Sequence, residues 1–257
     1  MPLTSSKPTA FNSLKAVFFV AAASAGIAVA PASASDFRLN LSLDYGSSND
    51  PLVIKGARTS FGFGALIPEL VYSAGWLGSF GVGYGYGYGP GQEATLGPVS
   101  GKGDLESDVI QFTYSNHFNL TDTVSLMVMY ENRQYEVSGS MTGQFGSQTA
   151  PISVKSDIEF EELGARLAYS WREDLRLFAG VSTLDWTVDS DAKATVGETI
   201  TARVNVAGGD TSLQYSLGAD TVVWDRPVRF EVRAADLEAD ETVSKVEIRL
   251  TTTLYNF

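Results

Sequence analysis

"GVGYGYGYG", Gly81 to Gly89, is the stretch whose reading decides the fold. Glycine takes every second position, and Phe80, Val82, Tyr84, Tyr86 and Tyr88 take the others. A dinucleotide-binding turn carries glycines at relative positions one, three and six, so that backbone N–H groups approach a pyrophosphate at a helix start. Gly81 and Gly83 match, but the sixth position is Tyr86, and no Gly-Lys-Ser/Thr follows to make a P-loop. Period two belongs instead to a β-strand, whose side chains alternate between two faces. One face of this strand is aromatic and the other bare, so the question is what kind of sheet needs both.

Upstream of this strand, Met1–Ala34 has the layout of a secretory signal. Lys7 and Lys15 precede the apolar run from Ala16 to Ala30, and Ala32 and Ala34 form an A-x-A cleavage pattern. The mature chain is expected to begin at Ser35. The apolar run falls short of the roughly 20 residues a spanning helix needs, and no later segment approaches that length. The chain has no cysteine, hence no disulfide framework and no lipidated cysteine. The signal carries two lysines and no acid, so its removal moves the formal charge from −12 to −14, which argues against nucleic acid as a partner. No composition break or long repeat divides the mature chain, residues 35–257, into two domains.

The period-two pattern recurs along the whole mature length. Phe37, Leu39, Leu41, Leu43 and Tyr45 alternate with polar residues. So do Phe61-x-Phe63-x-Ala65, Ile110-x-Phe112-x-Tyr114, Val124 to Tyr130, Leu163 to Trp171, Leu175 to Val181, Leu213 to Leu217, Val228 to Val232 and Val246 to Leu250. With Phe80–Gly89 this predicts ten strands and no amphipathic helix; eight or twelve strands are the alternatives, twelve if Gly208-Gly209-Asp210 is a turn. Compact junctions near Ser73–Gly75, Asn119–Asp122 and Arg172–Glu173 alternate with polar stretches at about 47–57, 90–106, 138–156, 189–198 and 234–241, read as long loops. A soluble exported sandwich is the competing fold.

The pattern, together with the C-terminus "TTTLYNF", resembles the small outer-membrane β-barrels of Gram-negative bacteria. That family commonly ends in an aromatic with a second aromatic two residues earlier, matched by Phe257 and Tyr255. The resemblance implies an antiparallel up-and-down transmembrane barrel in the outer membrane, monomeric, surrounded by lipid and lipopolysaccharide and delivered by the barrel assembly machinery. Short turns would be periplasmic and long loops extracellular. Val246, Ile248 and Leu250 lie on the opposite parity to Tyr255 and Phe257, so either a bulge or a position that does not face lipid is expected between them. Tyr84, Tyr86 and Tyr88 would form an aromatic girdle at headgroup level.

If the apolar parity faces lipid, the lumen receives Arg38, Asp44, Glu131, Arg133, Glu162, Arg166, Arg176, Arg229, Glu231, Arg233, Glu247 and Arg249. Such a set makes either an ion-paired plug or a small polar conduit. Gly62, Gly64, Gly81, Gly83, Gly85, Gly87 and Gly89 would form a bare lumenal patch, filled by a loop, by bulky neighbours or by a small ligand.

Candidate chemistry is sparse. The omptin proteases use an Asp-His couple at the extracellular rim, whereas the only histidine here, His117 in "SNHF", lies three residues before a compact turn. Ser115 and Asn116 are its chain neighbours and do not build a hydrolase geometry on a strand. The acidic groups Asp104/Glu106/Asp108, Glu159/Glu161/Glu162 and Asp236/Glu238/Asp240/Glu241 lack the calcium-hand pattern. They are expected to be solvated loop carboxylates, loosely bridged by divalent cations at the lipopolysaccharide surface. No cofactor, metal centre or catalytic residue is expected. The functions that follow are a narrow cation-preferring channel for small solutes or a closed barrel working through its loops in adhesion or envelope structure, with a barrel hydrolase third.

Overall fold

The computed structural model describes residues 36–48, 57–96, 98–196, 199–238 and 242–256. Residues 1–35, where the sequence reading puts the signal, residues 49–56 of the expected 47–57 loop, and Phe257 lie outside the described residues. Ten strands run in chain order: β1 Asp36–Ser48, β2 Ala57–Ser73, β3 Ser79–Leu96, β4 Val99–Asn119, β5 Val124–Phe145, β6 Gln148–Arg172, β7 Leu175–Val196, β8 Thr199–Val223, β9 Arg226–Glu238 and β10 Thr242–Asn256. Each pairs antiparallel with its chain neighbours, and β10 pairs with β1 to close the barrel. Closure leaves no edge where all ten strands pair, as a lipid environment requires; β8 pairs with β9 only from Gln214 to Val223, so its outer part is held by β7 alone.

The change of parity is met by a bulge. Leu39 is opposite Tyr255 but Asn40 is opposite Thr253, so Leu254 is the extra residue on β10. Tyr255 then points outward while Glu247 and Arg249 point inward. A second bulge was not foreseen: between Gly89 and Gln92 the β3–β4 register shifts, with Gly91 at φ +63° and its N–H donating to Asp104 Oδ1 at 2.7 Å. Glycine adopts that conformation without penalty, and Pro90 has no N–H to lose there. The bulge flips the parity of β3, so that Gly81, Gly83, Gly85, Gly87 and Gly89 and then Gln92 and Leu96 face inward.

Two sequence expectations are corrected and one open alternative is closed. As far as they are described, the stretches 90–106, 138–156 and 189–196 are not loops but the outer halves of three hairpins, β3–β4, β5–β6 and β7–β8, and β9 likewise continues through Ala234 to Glu238. Their Ser, Gly and Asp content misled because both faces there are relatively polar, while inward Leu105, Val137, Met141, Ile152 and Val154 keep the period. Gly208–Asp210 is not a turn but lies within β8, opposite Val188, Thr187 and Trp186. Finally, the phase of β2 is inverted: Ala65, Ile67, Glu69 and Val71 face inward and Leu66, Leu70 and Tyr72 outward.

Strands β6 and β8, at 25 residues, exceed the roughly 9–11 that a tilted strand needs to cross a bilayer. The outer face marks where crossing ends. On β6 it is apolar from Leu163 through Leu167 and Tyr169 to Trp171, then turns acidic at Glu161, Glu159 and Asp157 toward the hairpin end. On β4 the change falls between exposed Ile110 and Asp108. Beyond it the three hairpins enclose a core of their own, with Leu96, Val99, Leu105, Val137, Met141, Ala150, Ile152, Val154, Ala192 and Ala194 buried together. Strand β3 also approaches β7 and β8 across the interior to within 8 Å between Cα atoms. That is closer than the ~10 Å between sheets packed through ordinary side chains. The hairpin end of the barrel is therefore a closed apolar cap.

Candidate functional site

Inside the barrel, beneath the cap, lies a layer of charge. Arg133 donates from Nη1 to Asp44 at 3.0 Å, while its Nε lies 2.7 Å from Glu131 and its Nη2 3.1 Å from Glu247. Arg249 reaches Asp44 at 2.9 Å, Glu131 at 2.8 Å and Glu247 at 3.2 Å. Arg233 bridges Glu162 at 2.8 Å, Glu231 at 3.0 Å and Glu131 at 3.2 Å, and Arg166 also pairs with Glu231. Lys245 completes the layer, 3.2 Å from Glu247 and 4.0 Å above the Phe160 ring. Arg133, Arg166, Arg233, Lys245 and Arg249 thus face Asp44, Glu131, Glu162, Glu231 and Glu247, five charges of each sign. Nearly all are at most 7% exposed. Burying these groups is tolerable because each acid and base finds several partners of opposite sign.

The alternation of the strands builds this layer. Arg133 and Glu131 are alternate inward positions on β5, as are Glu231 and Arg233 on β9 and Lys245, Glu247 and Arg249 on β10. All twelve lumen residues read from the sequence point inward. Three that the sequence reading missed join them. Lys245 shares the parity of Glu247 and was legible. Asp220 continues the inward series of Ser212, Gln214 and Ser216. Glu69 was hidden by the inverted phase of β2; it accepts from Thr113 at 2.5 Å and from Gln111 and Asn40 at 3.4 Å.

Gly81, Gly83, Gly85, Gly87 and Gly89 face inward, and protein fills the space beside the first four. A Cβ on Gly81 would overlap the Glu69 carboxylate and on Gly87 the Phe63 ring, and on Gly83 it would come within 2.9 Å of Ile67. Gly64 is on the outer face opposite Tyr88, with nothing nearer than 3.8 Å to an added Cβ, so it does not belong to the patch. The facing of Gly62 lies outside what is described. Phe63 explains the correction: its ring turns inward onto Tyr135, 6.2 Å between centroids, over the bare surface of Gly87.

Tyr84, Tyr86 and Tyr88 point outward at 61%, 50% and 42% exposure, at the level where the apolar band ends. Tyr84 donates to Asp108 and Tyr88 to Asp104, each at 2.8 Å. The first two acidic groups therefore sit on strand faces rather than in loops, with Glu162 separated from Glu159 and Glu161 by pointing into the lumen; the side chains of Asp236, Glu238, Asp240 and Glu241 lie outside the described residues. Among the described residues no three acidic or histidine side chains are grouped to hold a metal ion. Asp108, Glu136, Asp157 and Asp189 instead lie directly opposite one another across β4 to β7, all outward. Like charges in such pairs destabilise a sheet. Glu136→Gln is expected to raise the melting temperature at low ionic strength by a few degrees, with the gain vanishing at high salt; a salt-independent change would contradict this account. Nearer the hairpin tips, hydrogen bonds from Arg203 and Lys193 hold the Asp191 carboxyl below its usual range.

Below the charge layer, toward the short turns, a cavity of about 390 Å³ opens. Its wall includes Arg38, Glu69, His117, Arg166, Arg176, Asp220 and Arg229. Asp220 accepts from Arg176 at 2.6 Å and from Arg229 at 2.6 Å. His117 lines this cavity, and its ring makes no hydrogen bond to a serine or carboxylate among the described residues; Asn116 Oδ1 accepts from the His117 backbone N–H at 2.9 Å.

No family model matches the chain, and no curated protein matches it in sequence. Its fold is similar to the translocator domain of the autotransporter NalP from Neisseria meningitidis, with 11% identity, a TM-score of 0.48 and 95% of each chain covered. It is also similar to the outer membrane protease OmpT from Escherichia coli, with 10% identity and a TM-score of 0.49 over 90% of this chain and 98% of that one. The toluene transporter TodX from Pseudomonas putida aligns at 11% identity, with a TM-score of 0.39, over 87% of this chain and 89% of its own. At these identities the likeness is one of architecture.

Proposed function

We propose that the protein is a monomeric, non-enzymatic barrel of the Gram-negative outer membrane, closed to through-passage, that presents its hairpin cap at the cell surface as an adhesive or envelope-structural element. In this reading the short turns are periplasmic, the terminal aromatics serve the barrel assembly machinery, and lipopolysaccharide surrounds the tyrosine girdle. The observation that carries it is the double closure of the interior: a balanced layer of buried ion pairs, then an apolar cap above it. A cation-preferring channel needs a continuous wet path with a surplus of acid along it, and neither feature supports that alternative. Ser125 and Asp220 share a recess with His117, but neither hydrogen-bonds its ring among the described residues and Asp220 is held by Arg176 and Arg229, which favours a non-catalytic barrel over a hydrolase. The acidic outer face would meet lipopolysaccharide phosphates through divalent cations rather than directly.

Conductance in a planar bilayer tests the reading. Refolded protein, verified as barrel by its heat-modifiable migration, is expected to give no unitary steps in molar potassium chloride. Discrete, cation-selective steps from the wild-type chain would overturn closure and restore the channel.

A further inference from the structure

Charge is balanced in the middle layer but not below it. Arg38, on β1, has only hydroxyl partners: its Nη2 donates to Ser73 at 3.0 Å and to Ser79 at 3.5 Å, and no carboxylate of the described residues pairs with it. Its Nε is buried with no acceptor. Arg176 and Arg229 compete for one carboxylate, Asp220. Arg229 and Arg166 also stack on the same ring, Phe178, with centroid distances of 5.3 and 5.4 Å, and the Nε of Arg166, a residue 4% exposed, has no acceptor. Arg38, Arg166, Arg176 and Arg229 line the cavity of about 390 Å³ together with His117 and, among the described residues, only two carboxylates outside the ion-pair layer, Asp220 and Glu69.

We propose that this cavity binds a small organic anion, whose carboxylate or phosphate oxygens are held by Arg38, Arg176 and Arg229, with Arg166 at the floor. Guanidinium groups suit this task because their forked donors match planar and tetrahedral oxyanions and stay charged at every physiological pH. The volume, about 390 Å³, falls in the range of small-ligand sites. Asp220 acts as the internal stand-in, neutralising two arginines with one carboxylate until a ligand shares them. The cap closes the other end, so the ligand enters and leaves past the short turns. A cation-selective interior would require the opposite surplus.

Calorimetric titration of the refolded barrel in zwitterionic detergent tests this, with inorganic phosphate and succinate as probes and sodium chloride of equal ionic strength as reference. Saturable binding of phosphate, succinate or both is expected, with no counterpart for chloride. Phosphate alone would identify a phosphate-bearing ligand, succinate alone a carboxylate, and both the shared oxyanion chemistry. Arg38→Gln, which breaks only contacts to two hydroxyls, is expected to weaken binding at least tenfold while the barrel stays folded. Asp220→Asn removes the internal competitor and is expected to tighten binding about tenfold, a gain that a merely structural role for Asp220 does not produce. Absence of saturable heat with both probes, unchanged affinity in Arg38→Gln, or weakened affinity in folded Asp220→Asn would each overturn the proposal.

Discussion

Arg249→Met is expected to cost about 3–5 kcal/mol, because removing one partner of a buried ion pair leaves the other uncompensated. Here three carboxylates, Asp44, Glu131 and Glu247, lose a shared guanidinium at 2.8–3.2 Å, and the layer is left with an excess negative charge in a water-poor interior. Against a total stability of the order of 5–15 kcal/mol, that loss removes a large fraction of it. Adding Glu131→Leu to the same chain restores four charges of each sign, and the double variant is expected to be more stable than the single one despite carrying two substitutions. The same physics drives both results: charge imbalance, rather than the loss of particular hydrogen bonds, dominates the cost. Urea midpoints followed by tryptophan fluorescence compare the three chains. A single variant within ~0.5 kcal/mol of wild type would mean that the layer is hydrated and that the lumen is not plugged there.

The layer was legible before any coordinates because alternation is a strong constraint: once Val128 and Tyr130 are assigned outward, Glu131 and Arg133 have nowhere to go but in. The same logic failed on β2 for a physical reason. Phe61, Phe63 and Ala65 are apolar, so membership of the lipid face was the natural assignment, yet a lumen with bare glycines on one wall needs bulky apolar residues on the next. Phe63 and Ile67 fill the hollows at Gly87 and Gly83, and Glu69 that at Gly81. A large-to-small match between strands is invisible to a rule that treats each strand alone. The cap was missed for a related reason. Beyond the membrane edge the outer face is no longer apolar, so the contrast that marks a strand fades, and sparse inward Leu105, Met141 and Ile152 looked like loop residues. The competition between Arg176 and Arg229 for Asp220 depends on three strands meeting across the wall, β7, β8 and β9, and no spacing in the chain announces it.

Gly85→Ala and Gly64→Ala separate the observed phase of β2 and β3 from the one the sequence favoured. A methyl on Gly85 would overlap the Leu66 carbonyl oxygen and come within 2.9 Å of the Ile67 Cα. Both are backbone, so no rotamer change relieves the clash, and the two strands must separate or slip. Overpacking of this kind costs about 1–3 kcal/mol or more, and because it falls on the β2–β3 ladder it is expected to slow barrel closure as well as lower the urea midpoint. At Gly64 the nearest atom to a new methyl is the Asp44 carbonyl oxygen at 3.8 Å, and the methyl would lie on the lipid side between Tyr45 and Tyr88. There alanine meets only ordinary contacts and restricts the unfolded chain, so the variant is expected to match or exceed wild type by up to about 1 kcal/mol. If Gly64 belonged to the lumenal patch, both variants would fail together. A tolerated Gly64→Ala beside a failing Gly85→Ala places the hollow wall on β3 alone and assigns its filling to β2.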